Sequence, residues 1–416
     1  MSSNALLEAP VFHPACAGRL TYSWQADLPR PIITLNKRFD CMKVGIVGCG
    51  YVADFYMLTL RHHRALELMG ATDFDAGRAK RFGEHHNVRI YPSLDDLLGE
   101  AGVELVLNLT NPRSHFAVTQ ASLKAGKHVY SEKPLAMSID DAEELVELAE
   151  NAGLYLSSAP SRVLGEPAQT MWKALRSGII GRPRLVYAEM DDGLINRMDF
   201  RDWRGNSGSP WPFVDEFETG CTLEHAGYAL TWLAAFFGPA ETVTAFSSVV
   251  IPDRDIPEVP PPAMGPDFSV ACIRYSSGVV ARLTCSTIAP EDHSIRIFGD
   301  EGVLSTDNCW KPDSPVFVER RIVNGKWVNT PSRTRLPMLR DPSLPQVSRT
   351  MKKVDFNLGP LEMLAAIAEK RPSRLSARFS AHIAETVLAI HGALEGSAPI
   401  RIRSSFDPLH PMPWAG

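Results

Sequence analysis

The stretch Met42-Lys43-Val44-Gly45-Ile46-Val47-Gly48-Cys49-Gly50-Tyr51-Val52-Ala53 determines the fold that we expect for this chain. It begins as a short apolar run, passes through two glycines separated by one residue, and continues into residues 51–63, which have helical apolar spacing. A strand that enters a helix through a glycine turn is typical of the first βα unit of a parallel sheet. We therefore predict that an α/β domain begins at residue 42.

The turn itself matches the pattern G-x-G-x-x-A. Gly48 allows the tight turn, Gly50 lets the backbone approach a pyrophosphate, and the small Ala53 lets helix and sheet pack closely. The pyrophosphate would lie at the positive N-terminus of the helix. The sequence thus predicts a dinucleotide site, and the expected cofactor contacts in this turn are Gly48, Gly50, Tyr51, Val52 and Ala53.

An acidic residue is expected about 20 residues after such a turn, where it would bind the ribose hydroxyls. Asp73 ends the second predicted strand, 73 − 50 = 23 positions after Gly50. A carboxylate there would repel a 2′-phosphate, so the sequence favours NAD over NADP. Two alternatives stay open. Asp73 could cap the second helix, with Asp75 as its rival for that position, and Arg78 and Arg81 could compensate a phosphate.

Strand and helix patterns alternate up to about residue 160. Apolar runs predict strands at 44–47, 66–72, 105–109 and 128–130, and helices at 51–63, 76–85, 115–125 and 138–150. This alternation predicts a Rossmann domain with a doubly wound parallel sheet at 42–160. Beyond it, β-like runs follow one another without helices between them, which predicts an α+β domain with a largely antiparallel open sheet at 161–416. Residues 1–41 are predicted to be an irregular extension.

Composition excludes several classes of protein. Hydrophobic residues make up 44% and charged residues 22%, which is typical of a globular protein. The net charge of −5 gives no sign of a basic surface that would bind nucleic acid. The longest apolar stretch, 226–237, is shorter than the roughly 20 residues of a membrane span. Seven cysteines without a C-x-x-C pair fit a reducing cytoplasm. His62-His63 and His85-His86 lack a third ligand, so we predict surface residues and no metal site.

A second motif, Ser131-Glu132-Lys133-Pro134-Leu135-Ala136, follows the strand at 128–130. It lies at the carboxyl edge of the predicted sheet, where open α/β sheets bind ligands. With this motif the chain resembles the Gfo/Idh/MocA family over residues 42 to about 400. The resemblance rests on the glycine turn at 48–53, T-N-P-R-S-H at 110–115, A-G-K-H-V at 125–129 with E-K-P at 132–134, and G-I-I-G-R-P at 178–183.

The resemblance implies an NAD(P)-dependent oxidoreductase that acts on a secondary alcohol of a sugar, sugar derivative or cyclitol. Lys133 would lie beside the nicotinamide and contact the reacting hydroxyl, and Glu132 would hold the nicotinamide ribose. A lysine near a positively charged nicotinamide should have a depressed pKa, which suits proton relay. The other cofactor contacts that the resemblance implies are Thr110, Asn111, Pro112 and His115.

The chain departs from the family in the predicted helix at 223–237. Where the family has G-G-x-L-x-D-x-G-x-H, residues 220–229 read G-C-T-L-E-H-A-G-Y-A, so His225 replaces the aspartate and Ala229 replaces the histidine. We expect His225 to be the general base, because histidine titrates near working pH. Tyr228 is a rival base, since i and i+3 share a helix face. Alternatively, His225 only orients the substrate while Lys133 moves the proton. Without the aspartate, we also hypothesise that Lys133 is more easily neutral.

The segment at 191–218 combines tryptophans with carboxylates. Carboxylates bind sugar hydroxyls and indole rings stack on a pyranose, so the segment suits a carbohydrate or cyclitol. Alternatively, it is a surface loop with its tryptophans tucked into the domain. Arg162 follows a strand end and could contact the substrate or the nicotinamide. It would favour an acidic or phosphorylated substrate, or it pairs with a surface carboxylate. The candidate substrate contacts are Arg162, Trp203, Arg204, Trp211, Glu218 and His225.

Two other functions remain open from the sequence. Some relatives keep NAD bound and use transient oxidation to act as glycosidases or epimerases without net redox change, and others are non-catalytic NAD-binding regulators. The resemblance also implies a homodimer or homotetramer that associates through the open face of the second sheet. Alternating apolar residues could belong to that interface or to the core: Val279, Ala281, Leu283 and Cys285.

Overall fold

Five parallel strands form the first sheet of the computed structural model, which describes residues 41–342, 344, 354–394, 396 and 398–416. Apart from Cys41, the predicted N-terminal extension lies outside the described residues. The strands are β1 (Met42–Val47), β2 (Leu66–Thr72), β3 (Leu105–Asn108), β4 (His128–Ser131) and β5 (Leu156–Ser158). Their spatial order is β2-β1-β3-β4-β5, so β1 pairs with both β2 and β3. The strand order reverses at β1, and such a switch point is where open α/β sheets bind ligands.

The helices around this sheet begin where the sequence supplies caps. They are α1 (Tyr51–Leu60), α2 (Ala76–His86), α3 (Leu94–Gly99), α4 (His115–Lys124) and α5 (Ile139–Ala152). The Ser138 side chain accepts a hydrogen bond from the Asp141 amide, and Gly153 ends α5 with φ +64°. Asp75, and not Asp73, caps α2 by accepting a hydrogen bond from the Arg78 amide. The alternative of Asp73 as the helix cap is therefore wrong.

The second sheet has nine strands in the order β15-β12-β11-β10-β6-β9-β8-β7-β16. The strands are β6 (Pro183–Asp191), β7 (Ala240–Ser248), β8 (Phe268–Tyr275), β9 (Val280–Ser286), β10 (Ile295–Gly299), β11 (Gly302–Thr306), β12 (Val316–Arg320), β15 (Arg333–Arg335) and β16 (Ile400–Arg401). β13 (Ile322–Val323) and β14 (Lys326–Trp327) form a separate hairpin. All neighbours are antiparallel except β6 and β9, which are parallel. The predicted α/β class, with a parallel Rossmann sheet and a largely antiparallel second sheet, is confirmed.

The longest apolar stretch of the sequence lies in a buried helix. The helices after β5 are α6 (Glu166–Arg176), α7 (Phe213–Thr219), α8 (Cys221–Phe237), α9 (Leu358–Glu369) and α10 (Ala377–His391). α8 packs on α10 and on β6, β8 and β9. Val279, Ala281, Leu283 and Cys285 are buried in this core, which decides against their exposure on an open face. In the described part of the chain, no helix has the length and apolarity to cross a membrane.

Two histidines that were predicted to lie on the surface are mostly buried. His63 Nε2 lies 2.8 Å from Asp355 Oδ2, and His86 Nε2 lies 2.6 Å from Asp54 Oδ1. Their side chains are only 5% and 12% exposed. The surface prediction was wrong for these two residues because each meets a carboxylate that is distant in sequence.

Candidate functional site

A cleft of about 1620 Å³ runs from the carboxyl ends of β1 to β4 to the first turn of α8. It is lined by most of the residues that the sequence singled out: Gly48, Gly50, Tyr51, Val52, Asp73, Thr110, Asn111, Pro112, His115, Glu132, Lys133, Trp203, Trp211, His225 and Tyr228. Ala53 is fully buried under the turn, as its predicted packing role requires. The tertiary structure thus joins the glycine turn and the lysine motif with the helix that carries His225.

The glycine turn has the shape of a pyrophosphate cradle. Gly48 has φ +99°, and a Cβ there would lie 2.6 Å from the Leu109 backbone, so only glycine fits. A Cβ on Gly50 would meet nothing within 4 Å, because this residue faces the open cleft. No side chain caps the N-terminus of α1, which leaves its amides for an anionic ligand. The residues present therefore fit a dinucleotide.

Asp73 organises the turn from the end of β2. Its Oδ2 accepts a hydrogen bond of 2.8 Å from the Cys49 amide, and its Oδ1 accepts one of 2.9 Å from the Asp75 amide. The Arg78 guanidinium lies 3.6 Å from Oδ2. Arg78 also lies over the ring of Phe74, which is 90% exposed at the rim of the cleft. This end of the cleft therefore carries the fixed carboxylate of Asp73, the cation of Arg78 and the exposed ring of Phe74.

His115 braces the two loops that flank the chemical end of the cleft. Its Nδ1 lies 2.7 Å from the Pro134 carbonyl, and its Nε2 lies 3.0 Å from the Thr110 carbonyl. Burial lowers the pKa of His115. Glu132 is held from the other side, where its Oε1 accepts a hydrogen bond of 2.8 Å from the Tyr56 hydroxyl. These contacts fix the backbone that carries Lys133.

Lys133 forms an ion pair with Glu224, in the first turn of α8. Burial alone would lower the pKa of Lys133, but the acidic groups around it, with Glu224 the strongest, together outweigh burial and raise it. The hypothesis that Lys133 lacks an acidic neighbour and is more easily neutral was therefore wrong. The sequence argument overlooked Glu224 because it compared His225 alone with the family aspartate, although Glu224 is the adjacent residue.

A second carboxyl group stands behind this pair. Glu216, in the first turn of α7, also lines the cleft and forms a hydrogen bond with Glu224. Burial and the neighbouring Glu224 carboxylate together raise the pKa of Glu216 to about 8. Glu216 therefore keeps its proton to higher pH than an ordinary glutamate. The sequence placed Glu216 in the carbohydrate segment but gave no reason to join it to Lys133.

His225 is oriented by a carboxylate that sequence reasoning did not identify as functional. Its Nδ1 lies 2.8 Å from Asp192 Oδ2 in an ion-pair contact, off the line of an aligned hydrogen bond. His293 Nε2 lies 2.9 Å from the other oxygen, Oδ1. Burial lowers the pKa of His225, but Asp192 outweighs burial and raises it. Asp192 directly follows β6, at the start of the segment at 191–218 that the sequence singled out for its carboxylates.

Tyr228 and Trp310 complete the wall beside His225. The Trp310 ring stands edge-on to His225 at 5.4 Å and to Tyr228 at 4.6 Å between centroids. Burial raises the pKa of Tyr228, so its side chain is a neutral phenol that can donate but not accept a proton at neutral pH. The raised pKa of Tyr228 therefore favours His225 over Tyr228 as a base. Trp310 was missed because it lies 85 residues (310 − 225 = 85) from His225.

The two predicted substrate tryptophans are partly tucked into the domain and partly exposed to the cleft. Trp203 and Trp211 contact each other at 5.0 Å between centroids, and Trp211 packs on Phe200 and Phe217. Both indoles also line the cleft. Each indole therefore packs on a small core with one side and borders the cleft with another. The two alternatives, a sugar-binding segment and a loop with buried tryptophans, are both partly correct.

Three predicted substrate residues lie outside the cleft wall. Arg204 is exposed and donates to the carbonyls of Arg201 and Trp203. Glu218 forms an ion pair of 2.7 Å with Arg113. Arg162 is 3% exposed, and burial lowers its pKa to about 10. No hydrogen bond joins the Arg162 guanidinium to another described residue, so the expected pairing with a surface carboxylate was wrong.

Residues 203–211 form a strap that docks on the glycine turn. The Ser207 amide and hydroxyl donate to Asp54 Oδ2, at 3.0 and 2.9 Å, and the Ser209 hydroxyl donates to the Cys49 carbonyl at 3.1 Å. A Cβ on Gly205 would lie 2.0 Å from Asp54 Oδ2. Only glycine at position 205 therefore lets the strap lie this close to α1.

Gly205→Ala should weaken the binding of a dinucleotide at this turn about tenfold. The clash with Asp54 displaces the strap, and the hydrogen bonds of Ser207 and Ser209 to α1 and the turn are worth about 1 kcal/mol each. Fluorescence titration measures the dissociation constant. Gly99→Ala is the matched control, because a Cβ there meets nothing within 4 Å. Equal affinity in both variants would show that the strap does not hold the cofactor.

The part of the chain that the structure describes contains no group of three His, Cys, Asp or Glu side chains arranged to hold a metal ion. The reactive groups of the cleft are instead two ion pairs, Lys133 with Glu224 and His225 with Asp192. One supplies a fixed positive charge and the other supplies an imidazole backed by a carboxylate. Together they can stabilise a developing oxyanion and move its proton.

Two family models match this chain. Residues 42–159 match the oxidoreductase family with an NAD-binding Rossmann fold, and residues 168–305 match the GFO/IDH/MocA C-terminal domain. Among curated relatives, trans-1,2-dihydrobenzene-1,2-diol dehydrogenase of Bos taurus is 24% identical over 66% of this chain and 76% of its own length. Myo-inositol 2-dehydrogenase of Thermotoga maritima is 24% identical over 64% of this chain and 75% of its own.

Solved structures share the fold. An oxidoreductase from Agrobacterium radiobacter, solved with NAD⁺, L-tartaric acid and magnesium, superposes with a TM-score of 0.69 at 19% identity, covering 87% of this chain and 99% of that one. A 3-ketoreductase from Actinomadura kijaniata, solved with NADP and TDP-benzene, gives a TM-score of 0.66 at 21% identity, covering 86% and 98%. The fold of this chain therefore recurs in proteins that were solved with NAD⁺ or NADP.

Proposed function

Because this chain belongs to the Gfo/Idh/MocA family of NAD(P)-dependent oxidoreductases, we propose that it moves a hydride between NAD and a secondary alcohol of an uncharged sugar, sugar derivative or cyclitol. The observation that carries the proposal is that Lys133 and His225 line the same cleft as the glycine turn. Curated relatives act in name on a diol and on a cyclitol, which supports an alcohol of this class.

The cofactor would be held by residues already placed at the sheet edge. The turn at Gly48 and Gly50 would receive the pyrophosphate, Asp73 the adenine-side ribose, and Glu132 the nicotinamide-side ribose. Thr110, Asn111 and Pro112 would border the nicotinamide end. When bound, a nicotinamide dinucleotide supplies the hydride acceptor or donor.

Lys133 and His225 have different roles at the substrate oxygen. Glu224 keeps Lys133 charged, so its ammonium donates a hydrogen bond to the oxygen and stabilises the negative charge that develops there. Neutral His225 takes the hydroxyl proton, and Asp192 stabilises the imidazolium that results. Because its Nδ1 faces Asp192, the nitrogen that would meet the substrate is Nε2.

The charges of the cleft favour an uncharged substrate over a sugar acid or phosphate. Its chemical end carries the carboxyl groups of Asp215, Glu216 and Glu224, of which Glu216 favours its protonated form, and the single lysine there is already paired with Glu224 and so is not free to bind an anion. Carboxylates accept hydrogen bonds from sugar hydroxyls but repel an anion. The Trp310 Nε1 is buried without a hydrogen-bond partner among the described residues, which leaves a donor for a substrate hydroxyl at the wall.

Purified protein, NAD⁺ and a panel of matched substrates test the proposal. The panel pairs neutral sugars and cyclitols with their uronates and phosphates, adds glycosides, and is followed at 340 nm and by mass spectrometry. We expect steady formation of NADH with a neutral compound, at a kcat/KM at least tenfold above that of its charged counterpart. Equal or better use of the charged partner would contradict the substrate class.

Two outcomes would replace the proposed reaction. Consumption of a glycoside, or epimerisation of a sugar, without accumulation of NADH would identify redox-neutral chemistry on a retained cofactor. Tight binding of NAD without turnover of any compound would favour a regulator. The function as a dehydrogenase requires net NADH.

NAD should be preferred over NADP by at least tenfold in kcat/KM, and Asp73→Asn should reduce that preference about tenfold. The asparagine keeps an acceptor for the Cys49 amide but removes the charge that would repel a 2′-phosphate. Steady-state kinetics with both cofactors measure the ratio. Adding Arg78→Ala to Asp73→Asn should restore much of the preference for NAD, because Arg78 is the cation beside Asp73. A wild-type enzyme that uses NADP equally well would contradict the prediction.

The cytoplasmic location and the assembly as a homodimer or homotetramer stay predictions from the sequence and its resemblance. The surface that we infer for assembly is the outer face of the nine-stranded sheet, opposite the face that packs on α8.

A further inference from the structure

Lys133 is held by an acidic residue that stands one position before the place where the family has its aspartate. Glu224 lies in the first turn of α8, where the helix dipole favours a negative charge. The start of this helix is fixed, because Gly220 has φ +83° and a Cβ there would lie 2.6 Å from the Pro266 carbonyl oxygen. The Glu224 side chain is 6% exposed and pairs with the Lys133 ammonium. Its carboxylate is therefore a rigid support for the lysine.

Glu216, in the first turn of α7, is the second carboxyl group beside Lys133. From α7 it lines the same part of the cleft as Glu224, and the nearby Glu224 carboxylate helps to raise its pKa. Glu224 is buried and Glu216 is partly buried. Two such neighbouring carboxyl groups resist losing the last proton between them, because both would then be charged. The titratable and charged groups that face Glu216 are Glu224, His225 and Tyr228 on α8, Lys133 after β4, Tyr51 on α1 and Asp215 on its own helix.

We propose that Glu224 is the positioning residue for Lys133, and that Glu216 carries the single proton that keeps this pair of carboxyl groups at one negative charge. The inference rests on the proposed function, because it assigns both carboxyl groups to the same reaction. With Glu216 protonated, the ammonium of Lys133 and the carboxylate of Glu224 balance each other. When Glu216 loses its proton, the trio becomes negative and opposes the oxyanion that develops on the substrate.

The pH dependence of kcat follows from this arrangement. Glu216 must keep its proton, so kcat falls about tenfold as the pH rises through the pKa of about 8. Glu216→Gln is similar in shape to the protonated acid and cannot titrate, so the alkaline loss of kcat should disappear in this variant. Glu218→Gln is the matched control on the same helix, because Glu218 pairs with Arg113 outside the cleft wall. The kcat of Glu218→Gln should fall with rising pH as the kcat of the wild type does.

The positioning role of Glu224 is tested separately. Glu224→Gln should lower kcat about a hundredfold, because a displaced catalytic group costs roughly that factor. It should also bring the deprotonation of Lys133 into the measurable pH range, since the lysine loses its counter-ion. Glu224→Asp, which restores the charge, should recover part of kcat and remove the new transition. A Glu224→Gln profile identical in shape to that of the wild type would overturn the positioning role.

A readout that needs no turnover separates this inference from the proposed function. In wild-type protein with ¹³C-carboxyl glutamate, NMR should show one side chain that titrates near pH 8 and is absent from Glu216→Gln. Absence of such a resonance would overturn the shared proton even in an active dehydrogenase. Its presence in a protein that turns over none of the compounds would support the carboxyl pair while the dehydrogenase function fails.

Discussion

Lys133→Met should lower kcat at least a hundredfold while leaving the dissociation constant of NADH within about threefold of the wild-type value. The methionine keeps most of the side-chain volume but removes the ammonium that donates to the substrate oxygen. Loss of one preorganised donor to a developing oxyanion costs about 2.7 to 4 kcal/mol, a factor of 10² to 10³ in kcat. A second cost arises because Glu224 is left without its cation in a mostly buried place.

Stopped-flow or steady-state kinetics measure kcat, and fluorescence titration measures NADH binding. Lys124→Met is the matched control, because Lys124 is exposed near the end of α4 and should be replaceable without loss. A kcat for Lys133→Met within tenfold of the wild-type value would contradict the role of this lysine. So would an equal loss in cofactor affinity, which would make Lys133 a cofactor anchor instead.

His225→Asn should lower the rate of alcohol oxidation about a hundredfold or more and abolish the acidic limb of its pH profile. The neutral imidazole is the form that accepts a proton, so wild-type activity is present above the pKa of His225 and is lost as the pH falls through it. Asp192 raises that pKa above the ordinary value of about 6.5. The asparagine can still donate to Asp192 but cannot accept the substrate proton at Nε2.

Asp192→Asn should shift the acidic limb of the pH profile, where His225→Asn should abolish it. Without the carboxylate, burial and the neighbouring Lys133 lower the pKa of His225, so the acidic limb should move to lower pH while kcat falls about tenfold. His62→Asn is the control, since His62 is an exposed residue. If His225→Asn kept the acidic limb, the imidazole would only orient the substrate, and the proton would have to pass to Lys133.

Local sequence pattern was sufficient to predict a site residue wherever its position depends on its neighbours in the sequence. The apolar run, the two glycines and the helix after them all lie within residues 42–53, and steric limits at Gly48 leave few other conformations. The same holds for Lys133, because its place directly after β4 already sets it at the carboxyl edge of a parallel sheet. Asp73 was found for the same reason, at the end of β2.

Local pattern failed where a contact crosses the chain. Arg204 and Glu218 stand in the correct segment, but the strap and α7 turn them away from the cleft wall. Conversely, Trp310 reaches the wall from the loop after β11, far from the motifs of α8. Composition of a segment indicates which chemistry is available there, but not which side chains face the ligand.

The sequence alone determined the family, the two-sheet architecture, the dinucleotide turn and the lysine of the reaction, because each is encoded by residue types at fixed local spacing. Only the tertiary structure decided the charges at the reaction centre. Lys133 and Glu224 are 91 residues apart, and His225 reaches Asp192 across 33 residues (225 − 192 = 33). Electrostatic coupling depends on distance in space and on burial, and both are set only when α8 packs on the second sheet and its first turn meets the loop after β4.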